Sequence, residues 1–172
     1  MNEMIIAGNY NNEAYRYLLI ARNTYQQYLQ EKQQLYSIDN QIMMYQSLYT
    51  GDMQSNNMNR FQLQNNRFQV EMNLRQHIET IGNNAAMATL NALMALQISM
   101  TKKDQISAML YDNSLSSICS FIEMTGMRED IHTAFKRYCN IGSIARTITD
   151  ITTQNVSLSY SLPGIRKLQI LL

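Results

Sequence analysis

The chain has no tryptophan, one proline, six glycines and two cysteines in 172 residues, and charged residues make up only 16% of it. Each shortage narrows what the protein can be. The six glycines are isolated from one another, so there is no glycine-rich loop to cradle a phosphate. Cys119 and Cys139 form no close pair of the C-x-x-C kind, which argues against a zinc centre. They suit a reducing compartment or a virion interior, with a single disulfide between them left open. No run reaches the roughly 18 apolar residues of a membrane span. The first residues, Met1 to Gly8, lack the basic flank and the apolar length of a signal peptide. A formal net charge of +1 gives no general attraction to nucleic acid or acidic lipid.

What fills the space is amide. The chain carries 18 Asn and 16 Gln. Helices exposed to water usually coat themselves with Glu and Lys at i,i+4 spacing. A face of Gln, Asn and Tyr repels its neighbours weakly and hydrogen-bonds to them, as a surface does when other subunits cover it. Hydrophobic residues reach 45%, but 13 Met and 11 Tyr swell that figure and Val occurs only at Val70 and Val156. Met fills space adaptably and specifies a core weakly, and Tyr keeps a polar end that wants a partner.

The periodicity predicts a long helix over about 11–49, capped at Asn11 or Asn12. Ala14, Leu18, Ala21, Tyr25, Tyr28, Leu35, Ile38, Ile42, Tyr45 and Tyr49 form its seam, interrupted by Lys32. Thr50-Gly51-Asp52 should end it. An internal repeat follows: Asn59-Arg60-Phe61-Gln62-Leu63-Gln64 recurs seven residues later as Asn66-Arg67-Phe68-Gln69-Val70-Glu71. As a helix, it carries Phe61, Phe68 and Met72 on one side and Leu63, Val70, Leu74, Ile78 and Ile81 on the other. As a β-hairpin at 59–72, it turns at Asn65-Asn66. The Gln-rich, Gly-free flanks favour helix. Gly82-Asn83-Asn84 reads as a break. Ala85–Met100 then reads as a central helix whose small residues admit close neighbours. Further helices are expected over 114–125 and 128–139, the second with acids at its start and bases near its end. Val156 to Leu162 alternates strictly, a strand pattern, and Pro163-Gly164 turns it.

The candidate sites are sparse. Cys119, Cys139, His77 and His132 have no metal-ligand spacing, and no nucleophile motif unites them, so no catalytic residue, metal or cofactor is expected. Arg60, Arg67 and Arg75 beside Phe61 and Phe68 have the chemistry to hold phosphate and stack bases, but Glu71 and Glu79 lie among them. Sequence-specific reading of nucleic acid is therefore not expected. Residues 85–100 would span roughly 24 Å as a helix, short of a ~30 Å bilayer core, so membrane contact is the rival use of that segment, as a pore lining in an oligomer. Eight of the eleven tyrosines precede Thr50. Tyr10, Tyr17 and Tyr36 fall off the seam and so suit an interface.

The expected fold is mainly α: an elongated helical bundle over 1–142 with a long N-terminal helix, a β-hairpin as the alternative at 59–72, and a β-type arm over 143–172. The expected function is a non-enzymatic structural subunit or adaptor of a virion or cytoplasmic assembly. Its partners would be copies of itself and other structural proteins. Its contacts would be Tyr10, Tyr17, Tyr36, Phe61, Phe68, Val156, Leu158, Tyr160 and Leu162. In composition and layout the chain resembles phage head-to-tail adaptors and internal ejection proteins. It also resembles minor pilus subunits of secretion systems, although those should carry an export signal. The rival is a membrane-active or secretion-machine subunit whose Ala-rich helix lines a pore.

Overall fold

The computed structural model describes residues 2–47, 53–126, 128–159 and 161–172. They form α1 (Asn2–Ser47), α2 (Met53–Thr101), α3 (Gln105–Met124), α4 (Glu129–Tyr138), α5 (Ile141–Gln154), α6 (Val156–Ser159) and α7 (Pro163–Leu171). No strand occurs among the described residues. The chain divides into two compact units. Unit 1 comprises Met1–Arg22 and Glu79–Leu172, and unit 2 comprises Asn23–Ile78. The long helices α1 and α2 contribute a segment to each.

Unit 1 is a helical bundle. On α1, the buried residues Ala7, Asn11, Ala14, Leu18 and Ala21 recur at alternating steps of four and three, which keeps them on one face. An ion pair between Glu3 and Lys102 joins the start of α1 to the end of α2, so these segments run antiparallel. The α2 segment buries Ala85, Ala86, Ala88, Ala92 and Ala95 together with Ile81, Leu93 and Leu96. Thr89 and Ser99 are fully buried there because their hydroxyls donate to the carbonyls of Ala85 and Ala95, at 2.9 and 3.0 Å. This is the expected central helix.

The turn after α2 places Lys103 at φ 57. Asp104 then caps α3, its carboxylate accepting from the Ser107 N–H at 3.0 Å. Gly126 follows α3 at φ 72, the left-handed conformation that ends helices. Across α4, Ile131, Ala134 and Phe135 are buried, and the Arg137 guanidinium and Tyr138 hydroxyl reach Glu79 on α2. Tyr138 and then Arg137 hold the Glu79 carboxyl below its ordinary range. Asn140 caps α5, accepting from the Ser143 N–H at 3.2 Å.

The helix α7 is anchored by a buried carboxylate. Asp112 of α3 is almost wholly buried, and its two oxygens accept from the Gly164 and Ile165 N–H groups at 2.8 and 3.0 Å. Those N–H groups belong to the first turn of α7, which has no intrahelical acceptor for them. Pro163 occupies the first helical position, where a missing N–H costs nothing. At its far end, His132 Nε2 lies 2.9 Å from the Leu171 carbonyl.

Several sequence expectations need correction. Helix α1 starts at Asn2, so Asn11 is an interior residue, not a cap. Helix α2 runs through 82–84 without a break. Gly82 serves there as a close-packing point against α4, and Asn84 donates to the Thr80 carbonyl one turn back. The β-hairpin at 59–72 is absent, because those residues lie inside α2. Asn-Asn offered weak turn chemistry, and a heptad repeat matches a helix surface. The β-type arm is absent too. Val156–Ser159 is α6, capped by Asn155, whose side chain accepts from the Leu158 N–H at 3.0 Å. Ser159 and Ser161 hydroxyls donate to the carbonyls of Val156 and Leu158. Serines every second residue thus satisfied the backbone locally, which a strand would have needed a neighbour to do. The expected helix end at 50–52 lies outside the described residues.

Both cysteines are free and buried. Burial pushes each thiol up to about 12. At about pH 8, labelling of the folded chain by a thiol reagent should be on the order of a thousandfold slower than in denaturant, because the thiolate is the reactive species. Comparing Ellman's-reagent rates with and without guanidinium checks this. Fast labelling of the native chain would contradict the buried placement.

Candidate functional surface

Unit 2 is a pair of helical segments. Arg67 of α2 reaches Asp39 of α1 at 2.6 Å, and His77 of α2 lies 3.2 Å from Glu31 of α1. Moving up α1 from 31 to 39 moves down α2 from 77 to 67, so the segments are antiparallel. Their shared seam is thinly covered. Thr24, Tyr25, Tyr28 and Leu74 are buried, while Leu35, Ile38, Ile42 and Tyr45 of α1 and Leu63 and Val70 of α2 are half-buried. Tyr25 and Tyr28 stack with ring centroids 5.9 Å apart. Lys32, expected to interrupt the seam, stays exposed with its ammonium 5.6 Å from the Tyr28 ring centroid. The half-buried Glu31 faces His77 in its place.

The repeat explains which side of α2 faces where. Leu63, Val70 and Leu74 serve the seam. Seven-residue repetition puts a second apolar row on the opposite side: Phe61 is 65% exposed, Phe68 63%, Met58 62% and Met72 45%. On α1, Tyr36 is 72% exposed, and Met43 and Met44 are exposed as well. Apolar side chains grouped in this way mark interaction surfaces more often than scattered ones do.

The remaining expected contact residues are dispersed. Tyr10 and Tyr17 of unit 1 are half-buried, Tyr17 with the Arg16 guanidinium 4.6 Å from its ring centroid. Val156 is exposed on α6. Leu158 lines a hollow of about 470 Å³ in unit 1. Leu162 is fully buried at the start of α7. Tyr160 lies outside the described residues. Sequence reading underrated Met58, Met43 and Met44. The only signal for Met58 was its place three residues before Phe61 on the repeat's outer row.

The chemistry available elsewhere is modest. In the hollow, Asp104 caps α3, Asn155 caps α6, and the Gln154 amide donates to the Thr101 hydroxyl at 3.4 Å. Those groups are engaged in holding the fold. Arg67, a candidate for phosphate, is taken by Asp39 and Glu71, each at 2.6 Å. Among the described residues, no three His, Cys, Asp or Glu side chains group to hold a metal. No helix of the described residues is long and apolar enough to cross a membrane. Comparison of the chain with protein families, with curated proteins and with solved structures gave no match.

Proposed function

We propose that the chain is a non-enzymatic structural subunit or adaptor of a large assembly such as a virion, whose partners are copies of itself and other structural proteins. One observation carries this reading: the outer row Met58, Phe61, Phe68 and Met72 of α2 stands open to water in a unit whose own seam is thinly covered. Exposing two phenylalanines and two methionines forgoes roughly 1.5–3 kcal/mol for each side chain that a partner would cover. The amide-rich surface supports the same reading, since it offers hydrogen bonds and little charge repulsion to a covering subunit. The burial of Ala85, Ala88, Ala92 and Ala95 supports a packed helix over a pore lining for the segment 85–100.

Light scattering of the purified chain over a hundredfold concentration range tests the reading. A mass that climbs above the 20.0 kDa of one chain as concentration rises is expected. A constant single-chain mass throughout sinks it. Release of dye from liposomes at the same concentrations would favour the pore-lining alternative instead.

A further inference from the structure

We infer that the outer row of α2 is a second coiled-coil seam, and that its occupant is the same row of a second copy, running parallel and in register. This rests on the structural-subunit reading and names the partner for one of its surfaces.

The register comes from the repeat. Met58, Asn65 and Met72 occupy one set of heptad positions, and Phe61 and Phe68 the other, so steps of three and four alternate from 58 to 72. All five residues are exposed and lie within unit 2. The row covers roughly 21 Å of helix at 1.5 Å per residue. The opposite row, Leu63, Val70 and Leu74, is already committed to α1. The helix is therefore apolar on two sides, and among the described residues only the inner side has an occupant.

Three features select a copy of the chain. First, the polar residue in the row is an asparagine at its centre. A lone asparagine at such a position fixes register by bonding to the same residue of its partner. In a parallel, in-register pair, Asn65 meets Asn65 of the second copy and the two amides satisfy each other. In an antiparallel pair the two sets of positions face one another, so Asn65 would sit against Phe61 or Phe68 with its amide unpaired. Second, the flanks permit self-contact. Asn57, Gln62, Gln64 and Gln69 border the row and carry no charge, and the one charged flanking residue, Glu71, is neutralised by Arg67 of its own helix at 2.6 Å, so two identical surfaces meet with little like-charge repulsion. The row stops at Arg75, where two copies would present the same charge. Third, the area suffices. The four large apolar side chains leave on the order of 400 Å² open per copy. With the amide rows on either side, this approaches the ~800 Å² per partner of a standard interface.

Cross-linking of the full chain decides the geometry. Met58→Cys and Met72→Cys, prepared separately and treated with a mild oxidant, should each form a disulfide-linked dimer on their own. The wild-type chain, with both its thiols buried, should not. Phe68→Cys and Phe61→Cys give the opposite orientation: a cross-link that appears only when Met58→Cys is mixed with Phe68→Cys, or Met72→Cys with Phe61→Cys, would mean antiparallel pairing and overturn the proposal. In parallel, Phe61→Gln/Phe68→Gln should at least halve the mass seen by light scattering, with the circular dichroism unchanged because both rings are exposed in the single chain, and should abolish the rise of melting temperature with concentration expected of the wild type. Wild-type oligomers that survive this double change, with neither cysteine variant cross-linking alone, would overturn the pairing and leave the subunit reading standing. A wild-type chain that stays single at every concentration would remove both.

Discussion

Asp112→Ala is expected to lower the stability of unit 1 by about 2–4 kcal/mol, because it leaves two buried N–H groups of α7 without acceptors at roughly 1–3 kcal/mol each. For a chain of this size that is a fall of about 5–15 °C in melting temperature. Gly164→Ala should cost a comparable amount by a different route. A methyl group there would run into the Asp112 carbonyl oxygen, with the Asp112 carboxylate and the Ser116 N–H at 2.8 and 2.9 Å. Two of those three are backbone atoms, which cannot turn aside, and forced packing of this kind costs about 1–3 kcal/mol or more. Combining the two changes should cost less than the sum, since both loosen the same joint. Calorimetry of the three variants checks this. Melting within a degree or two of wild type for Asp112→Ala would show that the joint does not hold α7.

The same carboxyl sets a pH dependence. Burial lifts its pKa, against the downward pull of the Gly164 and Ile165 N–H groups and of Arg166. A carboxyl whose folded pKa is raised binds its proton more tightly in the folded state. Its contribution to stability is therefore complete below the ordinary carboxylate pKa and declines as pH rises through the raised one. The gap between wild type and Asp112→Ala should accordingly be wider at about pH 4 than at about pH 8.

Gly82→Ala is the second large effect. The added methyl would lie 2.5 Å from the Ala134 Cβ, 2.8 Å from the Ala134 carbonyl carbon and 2.9 Å from the Phe135 nitrogen. Replacing glycine inside a helix ordinarily gains about 1 kcal/mol of propensity. Here that gain loses to the collision, because α4 must move away and unpack Ile131 and Phe135, both fully buried. A net loss of about 2 kcal/mol or more is expected. Ala134→Gly on top of it should recover only part, as it removes one of the three collisions. A stabilised Gly82→Ala chain in chemical denaturation would refute the close approach.

Much of this fold was legible in the residues. The step pattern Ala14, Leu18, Ala21, Tyr25, Tyr28 marked the buried side of α1, and the alanines after Ala85 marked the interior of unit 1. The two-sided helix drawn from the Phe61/Phe68 repeat is the arrangement found, with Leu63 and Val70 inward and both rings outward. The misreadings share a cause. Gly82 reads as a stop in a linear sequence and acts as a contact only once Ala134 is placed against it. Val156 to Ser159 alternates like a strand, but a strand needs an edge, and Asn155 with the serines offered closer partners. Leu162 looked like a docking residue and is fully buried at the start of α7, whose first turn is held by Asp112, fifty positions upstream. No local pattern announces such a pairing.

The alanine-lined interior of α2 constrains how this sequence can drift. Alanine has no rotamers to freeze, so ordering this interior costs little side-chain entropy. It also leaves no slack, because Ala85, Ala88, Ala92 and Ala95 are all wholly enclosed. Inherited changes at those four sites can shrink to glycine or exchange for serine, whose hydroxyl can bond back along the helix as Ser99 already does. Growth is closed to them unless a facing residue shrinks first, so diverging lineages should alter this helix in compensating pairs.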